Sequence, residues 1–217
     1  MTTTAEAPAV QYKVNQNVKP SSLEGLSEKL LDQHWKLYEG YVANSNLLSA
    51  AIQEASKSGA EMNQPRWAEL ERRFGFEYNG MVLHEYYFAG MKKGAKEPPA
   101  SSPFASAVSS NHGGFENWKK QFMEIGKMRG VGWTIAYFDP LIKRLVNVWV
   151  SDHEAGHIAG FVPIVVMDCW EHAYILDYGA GGRAEYVKTY FRNINWEVVE
   201  ERFESANHNE TISRIKA

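Results

Sequence analysis

Asp168 and His172 stand four residues apart, joined by Cys169-Trp170-Glu171 and preceded by the apolar run from Phe161 to Met167. A carboxylate and an imidazole at that spacing, at the edge of a core, are what a buried metal site requires. The chain has seven histidines: His34, His84, His112, His153, His157, His172 and His208. Two lie inside apolar helical stretches, His34 in Leu30-Leu31-Asp32-Gln33-His34-Trp35 and His84 in Met81-Val82-Leu83-His84-Glu85-Tyr86-Tyr87-Phe88. Charging a buried imidazole is costly, so such a residue is neutral and hydrogen-bonded, or it binds a metal. One alone is more often an ordinary core residue. Two on separate helices, with Asp168 and His172, point to a shared site. Three imidazoles and one carboxylate suit iron, manganese or zinc and leave a position open to solvent or substrate. The absence of thiolate ligands argues against a structural zinc site. Cys169, facing away from its neighbour's ligand, reads as a small buried residue.

The elements that must position these groups follow from periodicity. Ser22 to Lys57 reads as a long helix or helix pair, with Leu23, Leu26, Leu30, His34, Leu37, Tyr41, Leu48 and Ile52 at helical spacing. Ser22 is its expected cap and Ser58-Gly59 its end. A second helix runs from about Gln64 to Met91, opened by Pro65, with Leu70, Phe74, Val82 and Phe88 on its apolar face. Lys92 to Pro103 reads as a surface linker. Phe115 to Met128 is amphipathic, with Phe115, Trp118, Phe122 and Ile125 on one stripe. Gly132 to Phe138 and Leu145 to Val150 are β-rich and joined by Asp139-Pro140 and a short basic loop, a hairpin signal. Phe161 to Met167 has strand length. Helices are expected at His172 to Tyr178, Arg183 to Arg192 and Trp196 to Phe203. Two helices, a linker, then a helix, three strands and further helices make an α+β chain rather than alternating βαβ units.

The 217 residues, 44% of them hydrophobic, are ample for a core. A net charge of -3 gives no reason to expect nucleic acid or an anionic membrane as partner. The single cysteine allows no intrachain disulfide. No apolar stretch approaches the roughly 20 residues of a membrane span. Met1 to Val10 lacks a basic start and an apolar signal core and reads as a tail, so a cytoplasmic location is expected. Asn209-Glu210-Thr211 fits a glycosylation sequon, which carries little weight without a secretion signal.

Asp168-Cys169-Trp170-Glu171-His172-Ala173-Tyr174 closely resembles the Asp-x-Trp-Glu-His-Ala-Tyr motif of the iron/manganese superoxide dismutases. Leu176-Asp177-Tyr178, Tyr186-Val187-Lys188 and Asn195-Trp196 are similar to the family's C-terminal helices. His34 before Tyr41-Val42, His84 in an aromatic helix and Gly132-Trp133 in the first strand follow the family's order. The resemblance covers roughly residues 20 to 205, with the specific motif at its C-terminal end. It implies metal ligands His34, His84, Asp168 and His172, and an apolar cage that includes Trp133 and Trp170. It implies one iron or manganese ion per subunit, and disproportionation of superoxide to O2 and hydrogen peroxide as the ion alternates between 3+ and 2+. Glu171 falls where the family bridges to the metal-binding histidine of a second protomer, implying a homodimer or homotetramer. The implied fold is a tail at 1–19, an N-terminal α-helical hairpin at 20–95, and a C-terminal domain at 96–217 with a three-stranded antiparallel sheet packed by helices.

The chain departs from the family around the ligands. The family's histidine four residues after the first ligand is Tyr38 here, and its gateway tyrosine, eight after, is Val42. Tyr38 and Tyr41 lie at i+4 and i+7 from His34, on its helical face. A one-residue deletion, such as loss of a π-bulge, puts Tyr41 in the gateway role, with Tyr38 the alternative. Ile175 replaces the second tyrosine after His172-Ala173, and Leu83 replaces the asparagine before the second ligand. Gly80, four before His84, matches the manganese-type branch. His153 is the sheet-side candidate to hydrogen-bond metal-bound solvent, as in some iron-type members, with His157 competing. These departures motivate an alternative, a superoxide dismutase-like metal-binding protein with weak or lost activity. A third reading, a non-haem oxygen- or peroxide-handling enzyme, needs space that Trp133 and Trp170 deny.

Overall fold

The computed structural model describes residues 11–57, 62 and 64–208. The Ser58-Gly59 break, the segment Met1 to Val10 and the sequon at Asn209 lie outside the described residues. Residues 11–19 hold no regular element apart from one 3-10 turn at Gln16–Val18, flanked by extended Asn15 and Lys19. They are fastened to the first helix, where Tyr12 exchanges two hydrogen bonds with Asn46 and the Asn15 N–H donates to the Tyr38 hydroxyl.

Helix α1 spans Glu28–Lys57 and α2 spans Pro65–Ala89. They run antiparallel: Tyr38 meets Glu85 while Asn44 meets Glu77. The expected cap Ser22 is not the cap. Gly25 turns the chain at φ 72, and Ser27 accepts from the Leu30 N–H at 3.1 Å while holding Asp177 through its own N–H and hydroxyl. The buried face of α1 carries Leu30, Leu31, His34, Trp35, Tyr38, Val42 and Ser45, so Leu37, 40% exposed, falls off the expected stripe. On α2 the buried face is Glu77, Gly80, Met81, Leu83, His84, Tyr87 and Phe88. Of the expected face there, only Phe88 is fully buried; Phe74 is half-buried against Tyr78.

The expected linker ends in a helix the sequence did not signal, α3 at Pro103–His112, capped by the Ser102 side chain. Its Ser/Ala-rich sequence presents few large apolar residues, so its period was faint; Phe104, Ala105 and Val108 nevertheless seat it in the core. Helix α4 spans Phe115–Gly126 and buries Trp118 and Phe122. Fully buried Trp118, whose indole donates to Asn147 at 2.8 Å, is worth about 3–5 kcal/mol by analogy with large-to-small core substitutions.

Strands β1 (Gly132–Asp139), β2 (Arg144–Ser151) and β3 (Val162–Asp168) form an antiparallel sheet in the order β2-β1-β3. Every residue of central β1 is buried. A register shift between Ala136 and Tyr137 marks its pairing with β3. The stretch expected as a helix from His172 to Tyr178 is instead a 3-10 turn, Glu171–Ala173, followed by short α5, Ile175–Tyr178. Helices α6 (Arg183–Arg192) and α7 (Trp196–His208) complete an α+β fold. Helix α2 packs on β3, and the 3-10 turn packs on α1. Among the described residues no helix is long and apolar enough to cross a membrane.

Candidate metal centre

Four elements converge on one point: α1 brings His34, α2 His84, the end of β3 Asp168, and the following 3-10 turn His172. One ligating atom from each lies within 4.8 Å of all the others. Asp168 Oδ2 is 3.1 Å from His34 Nε2, 2.9 Å from His172 Nε2 and 3.8 Å from His84 Nε2. Its other oxygen accepts the Trp170 N–H at 2.7 Å, and its backbone carbonyl accepts the Tyr186 hydroxyl at 2.8 Å. The carboxylate is thereby fixed at both ends.

The electrostatics keep the cluster in ligating form. Burial alone raises the Asp168 carboxyl, but the adjoining His172 imidazole and hydrogen bonds from His172 and His34 outweigh it and hold the group far below the carboxylate range. Burial lowers His34, and lowers His84 more strongly, so both imidazoles are neutral. His84 Nδ1 is 2.6 Å from the Gly80 carbonyl; a carbonyl only accepts, so Nδ1 carries the hydrogen and Nε2 bears the lone pair. His84 Nε2 is buried without a hydrogen-bond partner. An unpaired buried nitrogen costs about 1–3 kcal/mol, and this one faces Asp168 Oδ2. A metal ion at the convergence of the four atoms satisfies it, so the residues present fit the ion.

Around the cluster the structure separates the sequence candidates. Tyr41 packs against His84 with ring centroids 5.0 Å apart. Tyr38 turns elsewhere, donating to Glu85 at 2.7 Å and packing on Trp35 and Phe88. His153 is fully buried beside the cluster: it accepts the Trp133 indole N–H at Nδ1 (3.0 Å), lies 2.7 Å from the Tyr41 hydroxyl at Nε2, and stacks on Trp170. Burial pushes the His153 imidazole down to about 4. The His157 ring is engaged by the His153 carbonyl and the Tyr137 hydroxyl instead. Trp170 also stacks on His172, at 5.7 Å. Glu171 is exposed, and Ile175 is 42% exposed. Cys169 is buried, 3.4 Å from the Thr134 hydroxyl, and burial pushes its thiol up to about 12.

One neighbour went unnoticed in the sequence. The Phe76 ring stands 4.6 Å from His153 and 6.3 Å from Tyr41. Phe76, Gly80 and His84 form one i, i+4, i+8 row on α2, a signal that was present in the spacing.

Residues 100–202 match the family model described as iron/manganese superoxide dismutases, C-terminal domain. The chain is 34% identical to the iron superoxide dismutase of Aquifex pyrophilus, over 88% of this chain and 90% of that protein. It is 35% identical to the iron superoxide dismutase of Cupriavidus metallidurans, over 87% and 93% of the two chains. It is 32% identical to the manganese/iron superoxide dismutase of Aeropyrum pernix, over 94% and 92%.

Proposed function

Because this chain belongs to the iron/manganese superoxide dismutase family, we propose that its four-residue cluster is the metal centre of a superoxide dismutase. The observation that carries the reading is the convergence of His34, His84, Asp168 and His172 beside the Trp133–His153–Tyr41 hydrogen-bond chain. Held by His34, His84, Asp168 and His172, an iron or manganese ion would supply the one-electron redox chemistry by which two superoxide ions and two protons become O2 and hydrogen peroxide.

The protein's own groups set the terms. Asp168 contributes one fixed negative charge against the three imidazoles. The hydrogen bond to the Gly80 carbonyl aims the His84 lone pair at the centre. The indole of Trp133 can only donate, so His153 Nδ1 accepts and neutral His153 carries its hydrogen at Nε2, donating it to the Tyr41 oxygen. The Tyr41 hydroxyl hydrogen then has no protein acceptor among the described residues and is free for donation on the open side. Burial raises the Tyr41 phenol above its usual range and keeps that proton in place at neutral pH. Trp133 and Trp170 wall the site, restricting it to a small substrate.

The assembly we propose is a homodimer or a homotetramer, with Glu171 at the interface. Support comes from exposed Glu171 beside Ile175 and Leu176, each 42% exposed, from a His172 side chain still 21% exposed, and from the buried, unpartnered indole nitrogen of Trp170. Sedimentation should give a dimer or larger, and Glu171→Ala should weaken it.

The deciding experiment is dismutation by purified protein of measured iron and manganese content. Activity proportional to bound metal is expected. Full occupancy without dismutation sinks the enzyme reading and leaves a metal-binding relative.

A further inference from the structure

His157 belongs neither to the ligand cluster nor to the Trp133–His153–Tyr41 chain, yet both of its ring nitrogens are engaged. Nε2 lies 2.8 Å from the backbone carbonyl of His153, and Nδ1 lies 2.7 Å from the Tyr137 hydroxyl. The carbonyl can only accept, so Nε2 carries the hydrogen. Nδ1 is then an acceptor, and the Tyr137 hydroxyl donates to it. The partners alone settle the tautomer.

Tyr137 is 2% exposed and sits on β1, four residues beyond Trp133. Strand β1 therefore holds His153 twice. Trp133 grips its ring, and Tyr137, acting through His157, grips its backbone. The segment needs such a hold. The β1–β2 ladder ends at Ser151, and the chain then passes through Asp152 at φ 51 and Gly156 at φ 105. Ser151 and Ala155 exchange backbone hydrogen bonds of 2.7 and 3.1 Å across the turn, but His153 stands at its tip. Among the described residues, the His153 carbonyl has His157 as its hydrogen-bond partner. A loop of this kind is the least restrained part of a sheet, whereas a hydrogen bond in a catalytic constellation must be held within a few tenths of an ångström.

We propose that Tyr137 and His157 are positioning residues: the Tyr137 hydroxyl fixes the His157 tautomer, His157 fixes the His153 backbone, and His153 is thereby aimed at Tyr41. The proposal rests on the dismutase reading for its effect on turnover, but not for its effect on the geometry of the centre.

The test uses full-length protein loaded with iron, its metal content measured, as wild type and as Tyr137→Phe, His157→Phe and His157→Gln. Glutamine can still donate to the His153 carbonyl and accept from Tyr137; phenylalanine can do neither. Two readouts are taken: kcat and KM for dismutation, and the Kd of azide, a small anion that probes the open position, from the visible spectrum. Tyr137→Phe and His157→Phe should retain full iron, lose about fivefold in kcat with little change in KM, and shift azide affinity by a similar factor, the size of one net hydrogen bond. His157→Gln should recover most of both. Unchanged kcat and azide affinity in the two phenylalanine variants would overturn the proposal, as would a His157→Gln no better than His157→Phe. Should His157→Phe fail to fold, Tyr137→Phe, which removes one oxygen atom, decides alone. If loaded wild type does not dismutate superoxide but azide affinity still responds as expected, the functional reading falls and the positioning role stands.

Discussion

Gly80→Ala separates metal binding from the geometry of the open face. Gly80 lies on α2 one turn before His84 and directly beneath the Tyr41 ring. A Cβ added there would meet three Tyr41 ring carbons at 2.6, 2.8 and 3.0 Å. Reaching the 3.4 Å of ordinary contact from 2.6 Å requires the ring to retreat by about 0.8 Å. Taken up along the Tyr41–His153 bond, that retreat carries a 2.7 Å contact to the limit of hydrogen bonding. Two energies oppose each other. Alanine in a helix interior gains about 0.5–1 kcal/mol over glycine. Overpacking a rigid site costs about 1–3 kcal/mol. The second wins, but by a small margin, so stability is a poor reporter and position is a good one. The Gly80 carbonyl is unaffected, so the His84 tautomer and the four ligands persist. Expected are full iron content, a thermal midpoint within a few degrees of wild type, and turnover reduced about tenfold, the effect of misplacing a donor by a fraction of an ångström. The assays are metal analysis, calorimetry and dismutation kinetics on the same sample. Wild-type turnover at full occupancy would refute the reasoning, because it would mean that the Tyr41–His153 contact does not matter to the rate. Loss of the metal would refute the separation between ligands and open face.

Three further outcomes are expected. His84→Ala should abolish tight metal binding and, at a metal concentration about 1,000-fold above the wild-type Kd, forfeit about 4 kcal/mol of linked stability; unchanged metal content would show that His84 is not a ligand. Stability should decline below about pH 6.5, because burial lowers His34, His84 and His153 from the ordinary 6.5, His153 to about 4. Below 6.5 the unfolded chain binds more protons at these sites than the folded one; His153 removes up to about 1.4 kcal/mol per unit of acidification between 6.5 and about 4, His34 and His84 act in the same direction, and so does Asp168, held below its usual range, at lower pH. A thermal midpoint that stays flat from pH 8 to pH 5 would contradict this. Gly132→Ala would place a Cβ 2.1 Å from the Val150 carbonyl oxygen at φ 145, so about 3 kcal/mol or more of stability should vanish in denaturant titration; a loss below 1 kcal/mol would show that the strand yields.

Much of the fold was legible in the sequence because its elements carry strong periods. Helices α1, α2, α4 and α6 and the three strands fall within a few residues of their expected places, where apolar spacing and turn residues agree. Helix α3 escaped because Ser and Ala give a weak period, and its burial depends on where neighbouring elements place Phe104 and Val108. The cap moved from Ser22 to Ser27 because the Gly25 turn and the side chain of Asp177, 150 positions along the chain, organise that end.

By itself the sequence determined which four residues, His34, His84, Asp168 and His172, come together in the candidate metal cluster. Histidines flanked by apolar residues, and a carboxylate four positions before an imidazole at the edge of a core, bear the cost of burial in their own local surroundings. Only the tertiary structure decided between residues that local surroundings treat alike. Tyr38 and Tyr41 share one face of α1, and a 3.6-residue period cannot rank them. Gly80 on α2 opens room for Tyr41, while Glu85, on the same helix, draws Tyr38 away. His153 and His157 share one loop, and β1 sorts them: Trp133 takes one ring and Tyr137 the other. Charge and hydrophobicity are written along the chain, but the direction of a side chain is settled by the neighbours it meets.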